Sequence, residues 1–356
     1  MPSPTDRSRI WPSLAGVAIS VALLAVILRQ VDLAEVRHHL AQAHPWPLTL
    51  AVVLATLAFP IRTIRWRFLL RTAADRPLPV APAWHATAIG FMANNVLPFR
   101  AGELIRPYAI TRLGGARFTA ALSSIAVERI FDGLTVTALL TLGLLSPGLA
   151  RGVAVGGVPV RHIALAAGGL SAAALLAALA VVAWPLAAER VIRAIVPGGR
   201  LADRIVGLIE GIRQGLAALN SPARIGGVVL WSLVLWLVNA LSFYVAFAAF
   251  EIPVSFAGAL LVQGLLAFGV SVPSTPGYIG PFEAAIVAAL ALYGVPGDRS
   301  FSYAIAYHVT TFIPITLLGL WSLARSPVGL SDLRRAPVPA SPSAARSTPP
   351  DPAPPP

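Results

Sequence analysis

Apolar residues in this chain fall in blocks of about twenty, the length a helix needs to cross ~30 Å of hydrocarbon. The pattern predicts spans at 11–28, 46–64, 118–145, 160–184, 225–250 and 301–324. Two further apolar blocks, 80–97 and 256–295, are interrupted by "NNVLPFRAGELIR" (94–106) and "PSTPGYIGP" (273–281). Residues 31–43 mix Val31, Ala34, Val36 and Leu40 with Asp32, Glu35, Arg37, His38 and His39, as a short surface helix would. Residues 186–219 place Ile192, Ile195, Ile205, Leu208 and Ile212 at helical spacing among arginines, which predicts a cytoplasmic membrane-surface helix pair.

Arg7 and Arg9 precede the first block, and no small-residue cleavage site follows it, so a retained span is expected and not a cleaved signal. From Pro337 onward there are nine prolines. Such a segment cannot assemble a core, and 326–356 should be a disordered tail. The expected organisation is an N-terminus at 1–10, a transmembrane domain at 11–325, and that tail.

Composition narrows the class. The chain is 56% hydrophobic and 12% charged, against about 25% charged in soluble domains. The fold class is an all-α integral membrane protein with about six to eight transmembrane helices. There is no cysteine, which excludes disulfides and thiolate chemistry. The net charge of +12 comes from arginine alone, since the chain has no lysine. These arginines sit between apolar runs, where they set topology and meet anionic headgroups. Nucleic acid is not an expected partner.

Arginine concentrates in 62–76, 100–117, 186–224 and after Arg325, which should share the cytoplasmic side together with both termini. Around Trp66, Arg62, Arg65, Arg67 and Arg71 read as an interfacial anchor, or as ligands of lipid phosphate. A crossing by 80–97 would put 62–76 and 100–117 on opposite sides. That block is therefore expected to be re-entrant, dipping in and returning, which requires surrounding protein or a water-filled cavity. Block 256–295 either crosses twice or dips in from outside.

The two interrupted blocks share a layout. Pro98 is followed by Gly102 and Glu103; Pro273 is followed by Pro276, Gly277, Gly280 and Glu283. Aligning the glutamates (283 − 103 = 180) lays 46–64 over 225–250 and 118–145 over 301–324. Six of 39 positions from 103 to 141 are identical, so the order of elements carries the signal and not the letters. Paired Pro/Gly-broken segments in two inverted halves point to a transporter's substrate site.

Span 118–145 also carries Glu128, Arg129 and Asp132. Counted from Arg117 at ~1.5 Å per residue, Glu128 lies about 16 Å deep. Each charge there costs at least ~2.5–3.5 kcal/mol on insertion scales. The three form either a structural ion-pair network or a polar cavity for a charged headgroup. At the same offset Glu128 is matched by His308, a hydrogen-bonder or, paired with Glu128 across a pseudo-twofold, a proton relay.

In order, "NNVLPFRAGELIRPY", "ERIFDG" and "PSTPGYIGPFEAA" resemble the lysylphosphatidylglycerol synthase transmembrane-domain family, also called flippase-like, over roughly 10–325. Members with an attached synthase domain aminoacylate phosphatidylglycerol and move the product across the bilayer. The resemblance implies roles for Asn95, Pro98, Arg100, Gly102, Glu103, Arg106, Glu128, Arg129, Asp132, Pro273, Pro276, Gly277, Gly280 and Glu283. Two departures stand out. No synthase domain follows, so that activity is not implied, and His308 stands where the family often has arginine.

The expectation is a lipid flippase or lipid-linked transporter of the bacterial inner membrane, with anionic phospholipids as partners. Arg100, Arg106 and Arg129 would take a phosphate; Glu103, Glu128 and Asp132 would take a cationic or hydroxylated headgroup. Asn95, Glu283 and His308 complete the expected substrate site, with Pro98, Gly102, Pro273, Pro276, Gly277 and Gly280 as hinges. No P-loop, cofactor, metal site or catalytic residue is expected. The alternatives are a membrane-embedded transferase using paired carboxylates on a lipid carrier, and a non-transporting assembly partner.

Overall fold

Among the described residues the apolar blocks fold as helices, and what is described of the two polar interruptions lies at the tips of helical hairpins. The computed structural model describes residues 20–29, 31–97, 100–144, 184–195, 221–271 and 275–328, with short pieces between 154 and 173. Helix α1 covers 20–28, and α2 is Leu33–Gln42, capped by Asp32, whose carboxylate accepts from the Ala34 amide. Then come α3 (Pro45–Leu69), α4 (Val80–Val96), α5 (Gly102–Gly114), α6 (Phe118–Gly143) and α7 (Pro185–Ile195). The second half holds α8 (Pro222–Ala249), α9 (Phe256–Gly269), a 3₁₀ turn at Pro276–Tyr278, α10 (Pro281–Ala291) and α11 (Gly297–Ala324). A two-residue ladder pairs β1 (Ala154–Val155) with β2 (Val158–Pro159). The protein is an all-α membrane protein. Helices α3, α8 and α11 are long and apolar enough to cross a bilayer, and shorter apolar helices accompany them. The span expected at 160–184, most of the surface pair at 186–219, residues 1–19, the tail from 329, Pro98 and Pro273 lie outside the described residues.

The repeat is legible in the packing. Helices α3-α4-α5-α6 and α8-α9-α10-α11 each run long, short, short, long. Helix α3 lies antiparallel to α8. The His44 amide donates to the Ala249 carbonyl at 3.0 Å, Ser242 Oγ to the Ala51 carbonyl at 2.7 Å, and Arg65 Nη1 to Ser232 Oγ at 3.1 Å. Exchanging the halves preserves the other contacts: α4 packs on α11 as α9 packs on α6, and α5 on α6 as α10 on α11. Both returning arms end on a left-handed glycine, Gly115 (φ 65°) and Gly294 (φ 72°). The halves therefore run in opposite directions, related by a pseudo-twofold across the α3–α8 contact.

This geometry keeps the return that the re-entrant reading expected and moves its turning point past residue 97. Block 80–97 does not turn back within itself. It is one helix from Val80 to Val96, and α5 makes the return. The Ala73 amide donates to the Gly115 carbonyl at 2.8 Å, so residues near 73 and 115 share one end of the molecule. Arg100 and Glu103 sit at the opposite end of α5, about 20 Å away over its thirteen residues. Segment 100–117 is thus not a single cytoplasmic stretch; charge counting cannot see that it runs along a hairpin arm. Block 256–295 forms the second hairpin, α9 and α10.

The tips meet. Arg100 Nη2 donates to the Val270 carbonyl at 2.7 Å, and its guanidinium lies 5.7 Å from the Tyr278 ring centre. Arg100 (φ 51°) and Tyr278 (φ 61°) both adopt left-handed backbone, which costs a non-glycine residue of order 1–3 kcal/mol and persists only where the surroundings fix it. The arms of the first hairpin touch through backbone. A Cβ on Gly102 would lie 1.8 Å from the Gly90 carbonyl oxygen.

Gly102→Ala should destabilise the protein by at least about 2 kcal/mol, because the clash is with backbone. Gly133→Ala, where a Cβ meets nothing within 4 Å, should be neutral or slightly stabilising. Thermal unfolding in detergent measures both. Single cysteines at Arg76 and Arg117 should react with an impermeant maleimide from the same face; opposite labelling would break the hairpin assignment.

Candidate functional site

Helices α3, α5 and α6 bring seven charged side chains together at half the depth of the bundle. Glu128 lies ten residues into the twenty-six of α6 and is wholly buried. Its carboxylate receives Arg65 Nη2 at 3.1 Å and Arg106 Nη1 at 3.1 Å, with Arg129 at 3.6 Å and Arg62 at 3.9 Å. One turn further, Asp132 receives Arg65 Nη1 at 2.5 Å and Trp236 Nε1 at 2.9 Å, with Arg129 Nη1 at 3.5 Å. Glu103, in the first turn of α5, lies 3.6 Å from Arg129 Nε. Aromatic faces line the cations: Arg106 sits 3.9 Å over Trp66, and Arg62 4.7 Å over Phe91. Trp66 is held in turn by Nε1 donation to Ser124 Oγ at 2.8 Å.

These contacts have two characters. Arg65 is a structural cation. It is fully buried, bridges both carboxylates of α6 and reaches Ser232 of α8, so it ties α3, α6 and α8 at one point. Removing one partner of such a pair costs about 3–5 kcal/mol, because the other charge is left bare. Arg106 and Arg129 instead line an open cleft with Gly90, Phe91, Asn94, Gly102, Glu103 and Ile125. It is narrow, with an enclosed volume of about 10 Å³, room for a single water. Arg106 Nε and Nη2, Arg129 Nε and Asn94 Oδ1 are buried and lack a hydrogen-bond partner. The N-terminus of α5 opens onto the same cleft through Gly102 and Glu103, adding positive helix-end potential.

Four arginines (62, 65, 106, 129), with Arg100 also 3.6 Å from Glu103, face three carboxylates (103, 128, 132), so positive charge is in excess. A buried excess charge needs a counter-charge. Arginine forks suit the oxygens of a phosphate.

Of the residues expected at the site, Glu103, Arg106, Glu128, Arg129 and Asp132 come together. Arg100 does not face the cleft; it joins the hairpin tips, 3.6 Å from Glu103. Asn95 donates to Thr316 Oγ1 at 3.0 Å and fastens α4 to α11, while its neighbour Asn94 lines the cleft. Gly102 is the point of close approach, and Gly277 (φ 71°) and Gly280 (φ 98°) take the left-handed turns of the second tip, next to Pro276. His308 does not pair with Glu128. Its Nδ1 lies 2.6 Å from Glu283 Oε1, because each long helix packs against the returning arm of its own half.

Sequence reading missed Arg62 and Arg65 as site residues by placing them at the membrane surface. The available signal was their i,i+3 spacing on a helix that continues to Leu69, which sets them on one face and inside the span. Trp236 and Ser232 carried no signal, since they reach Asp132 and Arg65 only through the α3–α8 crossing.

Comparison with known proteins agrees with this architecture. The chain is 30% identical over 306 residues to a protein named glycosyltransferase AglD from Haloferax volcanii, covering 78% of this chain and 48% of that protein. It therefore spans about half the length of that relative. It is 25% identical over 316 residues to a UPF0104 membrane protein of Methanothermobacter thermautotrophicus, covering 85% of this chain and 90% of that one. A second UPF0104 membrane protein of the same organism is 21% identical over 332 residues, covering 88% and 92%. Residues 13–319, which include both hairpins and the whole charge cluster, match the family described as the lysylphosphatidylglycerol synthase TM region, and the chain belongs to it.

Proposed function

We propose that this chain carries an anionic lipid headgroup across the bilayer, holding the phosphate against Arg106 and Arg129. One observation carries the reading: guanidinium donors buried without partners line a narrow cleft at half-depth, within a cluster where positive charge is in excess. Charge at that depth is expensive and marks substrate pathways. Two inverted halves with broken segments meeting near the middle support transport over a purely structural role. Glu103 and the Asn94 carbonyl add acceptors for a hydroxyl or ammonium on the same headgroup.

The end carrying Arg71, Arg76, Arg117, Arg224 and Arg325 faces the cytoplasm in this reading, and the end carrying Asp32, Glu35, Glu251 and Asp298 faces out. The protein then lies in the cell's inner membrane as a multi-pass domain with a cytoplasmic C-terminus. The name of the Haloferax volcanii relative favours a second reading, in which the same cleft holds the phosphate of a lipid carrier for a transferase reaction.

Dithionite quenching of NBD-labelled phosphatidylglycerol in reconstituted vesicles tests the proposal. The wild type should flip the probe well above empty vesicles. Arg106→Gln and Arg129→Gln should slow flipping at least about tenfold, equivalent to ~1.4 kcal/mol of barrier, with little loss of thermal stability for Arg129→Gln. Arg65→Gln should lower stability by about 3–5 kcal/mol. A wild-type rate equal to that of empty vesicles, or full speed in both cleft variants, would sink the transport reading. Polyprenyl phosphate binding without flipping would favour the transferase reading.

A further inference from the structure

The second half contains a buried ionisable pair that the phosphate site does not use. Glu283 is 4% exposed and His308 8%. The Oε1 atom of Glu283 lies 2.6 Å from His308 Nδ1, and its Oε2 accepts from the Gly280 amide at 2.7 Å. Phe282 stacks on the imidazole with centroids 4.0 Å apart, and Phe312 meets it edge-on at 6.2 Å.

The placement repeats that of the first half. Glu103 and Glu283 each sit in the first turn of a returning arm. Each pairs with the long helix that follows: Glu103 with Arg129, eleven residues after Phe118, and Glu283 with His308, eleven after Gly297. Arginine is permanently charged, whereas histidine gains and loses a proton near neutral pH. The same design thus holds an arginine in one half and a histidine in the other.

Other charges do not set the state of this pair. The elements packed on α10 and α11 carry Arg29 at the end of α1, Glu35, Arg37, His38 and His39 on α2, Arg62, Arg65 and Arg67 on α3, His85 on α4 and Arg224 on α8. Asp298 and Arg299 lie on α11 itself, as do Tyr303 and Tyr307, and α9 carries no charged residue. Among the described residues, Glu283 and His308 have ion pairs only with each other.

We propose that Glu283 and His308 form a proton-binding site that couples proton movement to lipid movement, an inference that rests on the transport reading. A headgroup phosphate brings one negative charge to the first half. One proton on the pair brings one positive charge to the second, and the loaded transporter then crosses its midpoint without net added charge.

The test uses the full chain in vesicles of phosphatidylethanolamine and phosphatidylglycerol with NBD-phosphatidylglycerol added outside and pyranine trapped within. Wild-type flipping should change several-fold between pH 5.5 and 7.5, and pyranine should report a lumenal pH change that accompanies flipping. Glu283→Gln keeps an oxygen acceptor for the Gly280 amide, since glutamine serves in capping boxes. It and His308→Gln should still flip, with a flat pH profile and no lumenal pH change. Wild-type flipping without a pyranine signal, or unchanged pH profiles in both variants, overturns the coupling and leaves transport standing. No wild-type flipping overturns both readings. A variant that loses thermal stability but keeps the wild-type pH profile marks the pair as structural and overturns the coupling.

Discussion

The structure depends on the burial of Glu128 and Asp132. Two carboxylates one turn apart at half-depth cannot remain ionised in an apolar interior without cations beside them. Arg65 answers both, and it can do so only if α3 lies against α6 at that height. Its further bond to Ser232, and that of Trp236 to Asp132, then set α8 against the same point. The crossing of the two halves is thus anchored by charge. Gly227 leaves room for the Phe68 ring at the same crossing.

The hairpins solve a different problem. Each turns back at its tip, where the last carbonyls of its first arm need donors. Arg100 supplies one across the halves by donating to Val270, at the C-terminus of α9, where its positive charge also suits the helix end. Holding Arg100 in left-handed backbone has a cost, and the tip-to-tip contact compensates it. The tips are therefore coupled: moving one hairpin strips a carbonyl of the other.

Much of this was legible in the sequence, for reasons specific to each element. The long spans were readable because bilayer thickness fixes their length, and α8 and α11 start within four residues of their expected positions. The repeat was readable as an order of elements, although the letters had drifted, because packing preserves lengths and breaks more than identities. Glu128, Arg129 and Asp132 were readable because charge in a span is rare. The partners were harder. Arg62 and Arg65 look like a surface anchor when the end of α3 is placed at residue 64. His308 was assigned to Glu128 by symmetry, but it finds Glu283 because contacts within a half are closer than matches between halves. The path of 80–114 was misread because arginine counts report which side a segment ends on, not how deep its middle goes.

The two halves have kept one backbone plan and diverged in charge. The first half concentrates four arginines against three carboxylates; the second retains a carboxylate in its returning arm and replaces the fixed cation with histidine. A symmetric charge content would put two permanent excess charges inside one bundle, and each would need its own counter-ion. The excess is instead confined to one half. The unfilled donors of Arg106 and Arg129 lie in that half, where the arginines outnumber the carboxylates and the fold supplies too few acceptors for every guanidinium nitrogen.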